Sequence, residues 1–199
     1  MSISINLLIE DELHLNILTK ALSFVNQKYI INRIFGMRGK NYIKDSLRAH
    51  NQAATHHPYL VLVDLDNVEC PLIIIESWLN FTKSDNLLFR IAVREAESWL
   101  VSDRDNFSFF MGVSKDKVDQ YPEKILDPKE YIINLARKSR KRKIKEDLVP
   151  EGRATVGRNY NTCLADFILN HWDLKKAMTN SKSLEHLMKA LNNFNYRRN

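Results

Sequence analysis

Glycine and proline are scarce, five of each in 199 residues, and so few chain breakers argue against long flexible linkers. The two cysteines, Cys70 and Cys163, lie far apart and show no ligand spacing. A disulfide framework and a cysteine zinc site are both disfavoured, and reduced structural thiols are expected. No apolar run approaches the roughly 20 residues that span a bilayer. The start, Met1-Ser2-Ile3-Ser4-Ile5-Asn6, lacks the basic region of a signal peptide, so the expected compartment is the cytoplasm, with no membrane partner.

The remaining composition, 44% hydrophobic and 27% charged, is that of a soluble globular chain. Its length suits one domain with a real core, or one domain plus an appendage. The net charge is +6, yet the segment Arg137 to Lys145 alone carries seven positive charges and no negative one. Without it the chain would sit near −1, so the basic character is local and suggests a polyanion site.

The organising stretch is Tyr59-Leu60-Val61-Leu62-Val63-Asp64-Leu65-Asp66-Asn67. A continuous apolar run fits a strand buried on both faces of a parallel sheet. It ends in Asp64, with Asp66 two residues on. Residues i and i+2 of an extended chain face the same side, so two carboxylates are expected together at a strand's carboxyl end, where open α/β sheets bind ligands. Such a pair needs a cation, a shared proton or water, and oxygen donors favour Mg²⁺ or Mn²⁺ over zinc. The plainer alternative is a helix cap or a loop aspartate pair.

Ser2 to Ile9 reads as a strand ending at Glu10-Asp11-Glu12, followed by a helix with Leu13, Ile17, Leu18, Leu22 and Val25 at helical spacing. Tyr29 to Phe35 reads as a second strand. The loop Gly36-Met37-Arg38-Gly39-Lys40 is expected to be a glycine turn with solvated charges, a phosphate contact being the less favoured reading. Asn41 to Ala54 is a helix closed by His56-His57-Pro58, and the histidines read as a solvated loop end. Leu72 to Leu79 is a helix and Leu87 to Val93 a fourth strand. That strand runs into Arg94-Glu95-Ala96-Glu97-Ser98-Trp99-Leu100, with Trp99 expected in the core.

Beyond Ser102 the reading is helical: Asp103 to Met111, a short helix at Ser114, Lys129 to about Arg140, Tyr160 to Trp172 and Leu184 to Phe194. Phe107, Phe109 and Phe110 are expected to pack in the core rather than stack on bases. The basic run reads as the end and continuation of the Lys129 helix, exposed and partly mobile. The stretch Val149 to Asn161, holding Arg153 and Arg158, is the most loop-like.

Strands alternating with helices predict a mostly parallel, four-stranded, Rossmann-like α/β sheet. The expected division is an α/β domain over 1–102 and a helical extension over 103–199, packed on the first as one unit. Glu10, Asp64, Asp66 and Glu97 then fall at strand carboxyl ends and are expected to converge. Acids that hold a divalent cation beside a basic surface suggest metal-assisted phosphodiester cleavage.

A glutamate after strand one and Asp-x-Asp after strand three resemble the TOPRIM domain of topoisomerases, primases and the overcoming-lysogenization-defect nucleases. The resemblance is closer to a TOPRIM-like family of uncharacterised bacterial proteins found beside ATPases in phage-defence loci. It rests on Ile9-Glu10-Asp11-Glu12-Leu13, Val63-Asp64-Leu65-Asp66, Ala92 to Leu100, and Val156-Gly157-Arg158-Asn159-Tyr160-Asn161, in that order over residues 3–192. It implies a Mg²⁺- or Mn²⁺-dependent nuclease acting on DNA or RNA, with Glu10, Asp64, Asp66 and Glu97 as metal-binding and catalytic residues and an ATPase as a possible partner. Nucleic-acid contacts are expected from Arg94, Arg137, Arg140, Lys141, Arg142, Lys143, Arg153 and Arg158. The chain departs from the pattern at Glu10-Asp11, where Glu-Gly is usual. The lysine that TOPRIM nucleases place near the metals has no assigned position, with Arg94 and the basic run as candidates. A non-catalytic nucleic-acid-binding or toxin-like subunit and a phosphohydrolase of small substrates are the competing classes.

Overall fold

Tyr59–Asp64 forms a strand because its first five residues are apolar, with Tyr59, Val61 and Val63 of high β-propensity, and every residue from Tyr59 to Val63 is buried. It is β3 of a four-stranded, all-parallel sheet, with β1 Ser2–Ile9, β2 Lys28–Gly36 and β4 Leu87–Ala92 in the order β2-β1-β3-β4. The crossovers are α1 Glu12–Phe24, α2 Lys40–Ala53 and α3 Pro71–Trp78. This is the Rossmann-like α/β class expected from the sequence. The computed structural model describes residues 2–26 and 28–196.

The chain divides into two compact units. One comprises the residues up to Val93 together with those from His186 on, and the other is Arg94–Glu185. In the first unit Tyr59, Val61 and Val63 point to one side of β3 and pack in a buried cluster with Leu8, Ile43, Leu47 and Ile74. The chain returns to this unit through the later turns of α10 Lys182–Asn192, where Leu191 accepts a hydrogen bond from the Tyr29 hydroxyl at 2.7 Å. The strand order matters for function. β1 leads outward to β2, while β3 returns to the opposite side of β1, so the crevice between the carboxyl ends of β1 and β3 is the topological switch point.

The second unit is helical: α4 Glu97–Ser102, α5 Arg104–Met111, α6 Pro128–Arg137, α7 Arg142–Leu148, α8 Tyr160–Asn170 and α9 Leu174–Asn180. Fully buried Phe107 and Phe167 meet edge to face at 5.3 Å. Trp99 is buried as expected, and its indole N–H donates to Ser183 Oγ at 2.7 Å.

Several sequence expectations are corrected here. The helix read to Arg140 stops at Arg137, because the turn that follows is bonded elsewhere: the Ser139 hydroxyl donates to the Met111 carbonyl and the Arg140 N–H to that of Gly112. The basic run is therefore two helix ends around a pinned turn rather than one fraying helix, although all seven of its cations are exposed. Helix α9 was not anticipated; Asp173 caps it by accepting from the backbone N–H groups of Lys175 and Lys176. The turn at Ser114 is a single 3₁₀ turn, Lys115–Lys117. Among the described residues no helix is long and apolar enough to cross a membrane.

Candidate functional site at the carboxyl ends of β1 and β3

Glu10 follows the last residue of β1, and its side chain reaches across to β3, where Oε1 accepts the Asp64 backbone N–H at 2.8 Å. The two acids are thereby held at adjacent strand ends. Asp11 is the N-cap of α1, its Oδ1 accepting the His14 N–H at 3.0 Å. The cap starts α1 so that His14 falls four residues after Glu10, on the buried face with Leu13, Ile17 and Leu18. Its Nε2 lies 3.1 Å from Asp64 Oδ1, and its Nδ1 lies 3.4 Å from the Glu10 backbone nitrogen.

Asp66 does not join Asp64 in the way the i, i+2 argument predicts. The strand ends at Asp64, and Asp66 is left-handed at φ 53°, so the chain is no longer extended and the same-side rule lapses. A cation joins the two residues instead. Lys40 Nζ donates to the Asp64 carbonyl at 2.6 Å and to Asp66 Oδ2 at 2.7 Å. The loop after β2, read as a plain turn with solvated charges, is in fact what aims this lysine. Gly36, at φ 95°, packs where a Cβ would lie 2.1 Å from the Ile9 carbonyl oxygen. The Met37 N–H donates to that oxygen and the Gly39 N–H to the Glu10 carbonyl. Lys40 then opens α2 beside the acids.

Sequence reasoning missed His14 and Lys40. His14 could have been found as a polar residue on an apolar helix face one turn from Glu10, and Lys40 as the cation directly after a strand-end glycine loop. Among the described residues, the non-glycine positions at positive φ, which are uncommon, are Met37, Asp66 and Arg94, each one or two residues past the end of β2, β3 or β4. Strain of this kind tends to gather at functional sites.

Burial, reinforced by the Asp64 charge, pushes the Glu10 carboxyl up to about 7. Burial opposes a charge on His14, but Asp64 outweighs it and the imidazole is pushed up to about 9. These shifts give a pH-dependent stability with a definite sign. An acid whose pKa is raised on folding favours the native state below its unfolded value near 4.5, and that contribution is lost as pH rises to about 7. Glu10→Gln keeps the acceptor for the Asp64 N–H but cannot ionise. In EDTA it should match the wild type at pH 4.5 and exceed it by about 3 kcal/mol at pH 8. Urea melts across this range check it, and a pH-independent difference would mean that Glu10 does not titrate high.

Glu97 belongs to the second unit and has its own surroundings there. It is 3% exposed, Tyr160 Oη donates to its Oε1 at 3.4 Å, and Lys129 Nζ lies 3.6 Å from that oxygen. Burial, then Glu97, raises the Tyr160 phenol pKa and keeps it a donor. Glu95 Oε2 accepts the Lys129 N–H at the start of α6. Gly157 lets the loop before α8 press against Asp147, whose carbonyl would lie 2.3 Å from any Cβ there; Asn159 bonds the Asp147 carboxylate at 2.8 Å. The distinctive Gly-x-x-Tyr segment thus serves to seat Tyr160 on Glu97. Arg153 and Arg158 are exposed in this loop, and Arg94 is half-buried.

The acids near Lys40 offer oxygen donors of the kind Mg²⁺ or Mn²⁺ prefers. Among the described residues, however, no three His, Cys, Asp or Glu side chains are grouped to hold a metal ion. Glu10 and Asp64 are adjacent, and Asp66 is turned to the Lys40 ammonium. The donor chemistry fits a divalent cation, and a third carboxylate joins only if Lys40 yields Asp66. Comparison with family models, with curated proteins and with solved structures finds no match for this chain.

Proposed function

We propose that this chain is a TOPRIM-like, Mg²⁺-dependent nuclease that hydrolyses phosphodiesters of DNA or RNA. One observation carries the reading: Glu10, Asp64 and the Lys40 ammonium meet at the switch point of a parallel sheet. Glu10, Asp64 and Asp66 are the residues proposed to hold the cation, and Glu97, named with them from the sequence, sits with Tyr160 and Lys129 in the second unit. Bound there, a divalent ion would acidify a water and offset charge on the scissile phosphate. The chain's own groups have separate tasks. Glu10 accepts the Asp64 N–H through Oε1, which leaves Oε2 either to hold the cation or, instead, to take the proton of the attacking water as general base. His14 fixes the Asp64 carboxylate. Lys40 faces the negative charge that develops on the phosphate.

The test is cleavage of single- and double-stranded oligonucleotides with and without Mg²⁺, beside Mn²⁺ calorimetry and a generic phosphatase substrate. Asp64→Ala/Asp66→Ala should lose both Mn²⁺ binding and cleavage while keeping its circular dichroism. Unchanged Mn²⁺ affinity in that variant would put the metal elsewhere. Turnover of the phosphatase substrate alone would favour a small-molecule phosphohydrolase. A specific observation favours a second reading, a non-catalytic nucleic-acid-binding subunit: Lys40 already neutralises Asp66, as an acidic site without metal requires. The defence setting and the ATPase partner come from the sequence resemblance, and co-purification of an ATPase with the tagged chain tests the partner.

A further inference from the structure

Of the three phenylalanines in α5, Phe107 and Phe110 are buried, but Phe109 is 76% exposed. An exposed phenylalanine ring costs free energy unless something covers it. Phe109 is not a stray surface residue. It borders a cavity of about 670 Å³ within the second unit, floored by Phe110, Ile144 and Cys163. Lys141 Nζ lies 4.9 Å from the centre of the Phe109 ring and donates to the Phe109 and Phe110 carbonyls at 2.9 and 3.1 Å. The turn bearing Lys141 is rigid, since the Ser139 hydroxyl donates to the Met111 carbonyl at 2.6 Å and accepts the Lys141 N–H at 2.9 Å. Gly112, left-handed at φ 65°, leaves room for the Lys141 stem, which would lie 2.8 Å from a Cβ. Aromatic and cations are therefore held together before any ligand arrives.

We propose that this cavity takes an unpaired base of a single-stranded nucleic acid, stacked on Phe109, with the strand's phosphates running over the α6–α7 turn. The inference rests on the nucleic-acid reading above and deepens it, but needs no metal. Three features select this occupant. The cavity has the size typical of small-ligand sites and joins an apolar floor to Lys141 and Lys143 at its edge, which matches a base with its phosphate. Five further cations, Arg137, Lys138, Arg140, Arg142 and Lys145, are exposed along the same segment. A mononucleotide has no use for them, whereas a polymer does. A duplex keeps its bases stacked inside and cannot offer a face to Phe109. The cavity also contains Asp147 and Asp166, each accepting from an asparagine amide, Asn159 and Asn170. These carboxylates repel phosphate from the interior and can accept from base N–H groups, the ring imide of thymine and uracil included, so they orient the strand base inward.

The experiment is fluorescence anisotropy in EDTA with labelled dT₂₀ and U₂₀, a 20-base-pair duplex, and dT₂₀ carrying a run of abasic sites. The wild type should bind both single strands at least tenfold more tightly than the duplex. Phe109→Ala should weaken single-strand binding about 5- to 150-fold, the range for loss of one stacked base, and Phe109→Trp should restore it. The abasic strand should bind both proteins alike. Arg140→Ser/Arg142→Ser/Lys143→Ser, which spares the structural Lys141, should flatten the slope of log K against log salt by about 2, at roughly 0.7 per phosphate contact on a single strand. Equal binding by Phe109→Ala and the wild type, or equal wild-type binding to duplex and single strand, overturns this inference and leaves the nuclease reading standing. Failure to bind any of the four probes overturns both.

Discussion

Replacing Gly36 with alanine should cost about 3–5 kcal/mol and lower Tm by roughly 10 °C. Two causes add. The residue sits at φ +95°, where an L side chain is strained, and a Cβ would stand 2.1 Å from the Ile9 carbonyl oxygen, far inside van der Waals contact. That oxygen accepts the Met37 N–H, so β1 cannot retreat without giving up the bond that turns the chain toward Lys40. Gly39 supplies the control. It too lies at positive φ, +77°, but a Cβ there meets nothing within 4 Å, so Gly39→Ala carries backbone strain alone, about 1–3 kcal/mol. Thermal melts of the two variants separate conformational strain from collision. If they melt together, the close approach of the β2 end to Ile9 is not what makes glycine necessary. The Gly36 variant should also lose Mn²⁺ affinity, because the displaced loop carries the Glu10 and Lys40 anchors with it.

The sheet was legible because its signals are local. Tyr59–Val63 is apolar at every position, as a strand covered on both faces must be, and the alternation of such runs with helical spacing fixes a parallel order almost by itself. Glu10 and Asp64 were legible for the same reason, as acids that abruptly end apolar runs. Asp66 was read through the wrong geometry, because a left-handed turn cannot be distinguished from one more extended residue by composition. His14 and Lys40 were not found because what marks them is their partners. A histidine after an N-cap and a lysine after a glycine are ordinary residues until the fold sets them 3.1 Å from Asp64 and 2.7 Å from Asp66. The basic run failed in another way. Its charge was plain, but the break at Ser139 depends on a bond to Met111, 28 residues earlier, and no helical periodicity reports that. The same tertiary anchoring separates Phe109 from its neighbours: α5 has more aromatics than one buried face can take.

Lys40→Ala is the other substitution with a large expected effect, and it separates the two functional readings. Lys40 Nζ has three oxygen acceptors, the Asp64 and Leu65 carbonyls and Asp66 Oδ2, at 2.6, 3.4 and 2.7 Å. Truncation leaves them without this partner at a site only partly open to water, at a cost of about 1–3 kcal/mol in metal-free buffer. A divalent cation competes with the ammonium for Asp66. The variant should therefore bind Mn²⁺ at least as tightly as the wild type, and Mn²⁺ should raise its Tm by more than it raises that of the wild type. Cleavage should move the other way, falling by about 10²–10³, the usual loss when one preorganised donor to a transition-state charge is removed. Saturating Mn²⁺ distinguishes a residue that faces the phosphate from one that only holds the acids in place. If Lys40 contacts the phosphate, added metal restores stability but not rate; if it merely positions Asp66, both recover together. Lys40→Arg should keep the charge and part of the rate, less well because a planar guanidinium cannot take the Asp64 carbonyl and the Asp66 carboxylate from one point. Should Lys40→Ala bind nucleic acid like the wild type while neither protein cleaves in Mg²⁺ or Mn²⁺, the ammonium is a permanent substitute for the metal. The chain is then a binding subunit that keeps the acidic edge without its chemistry.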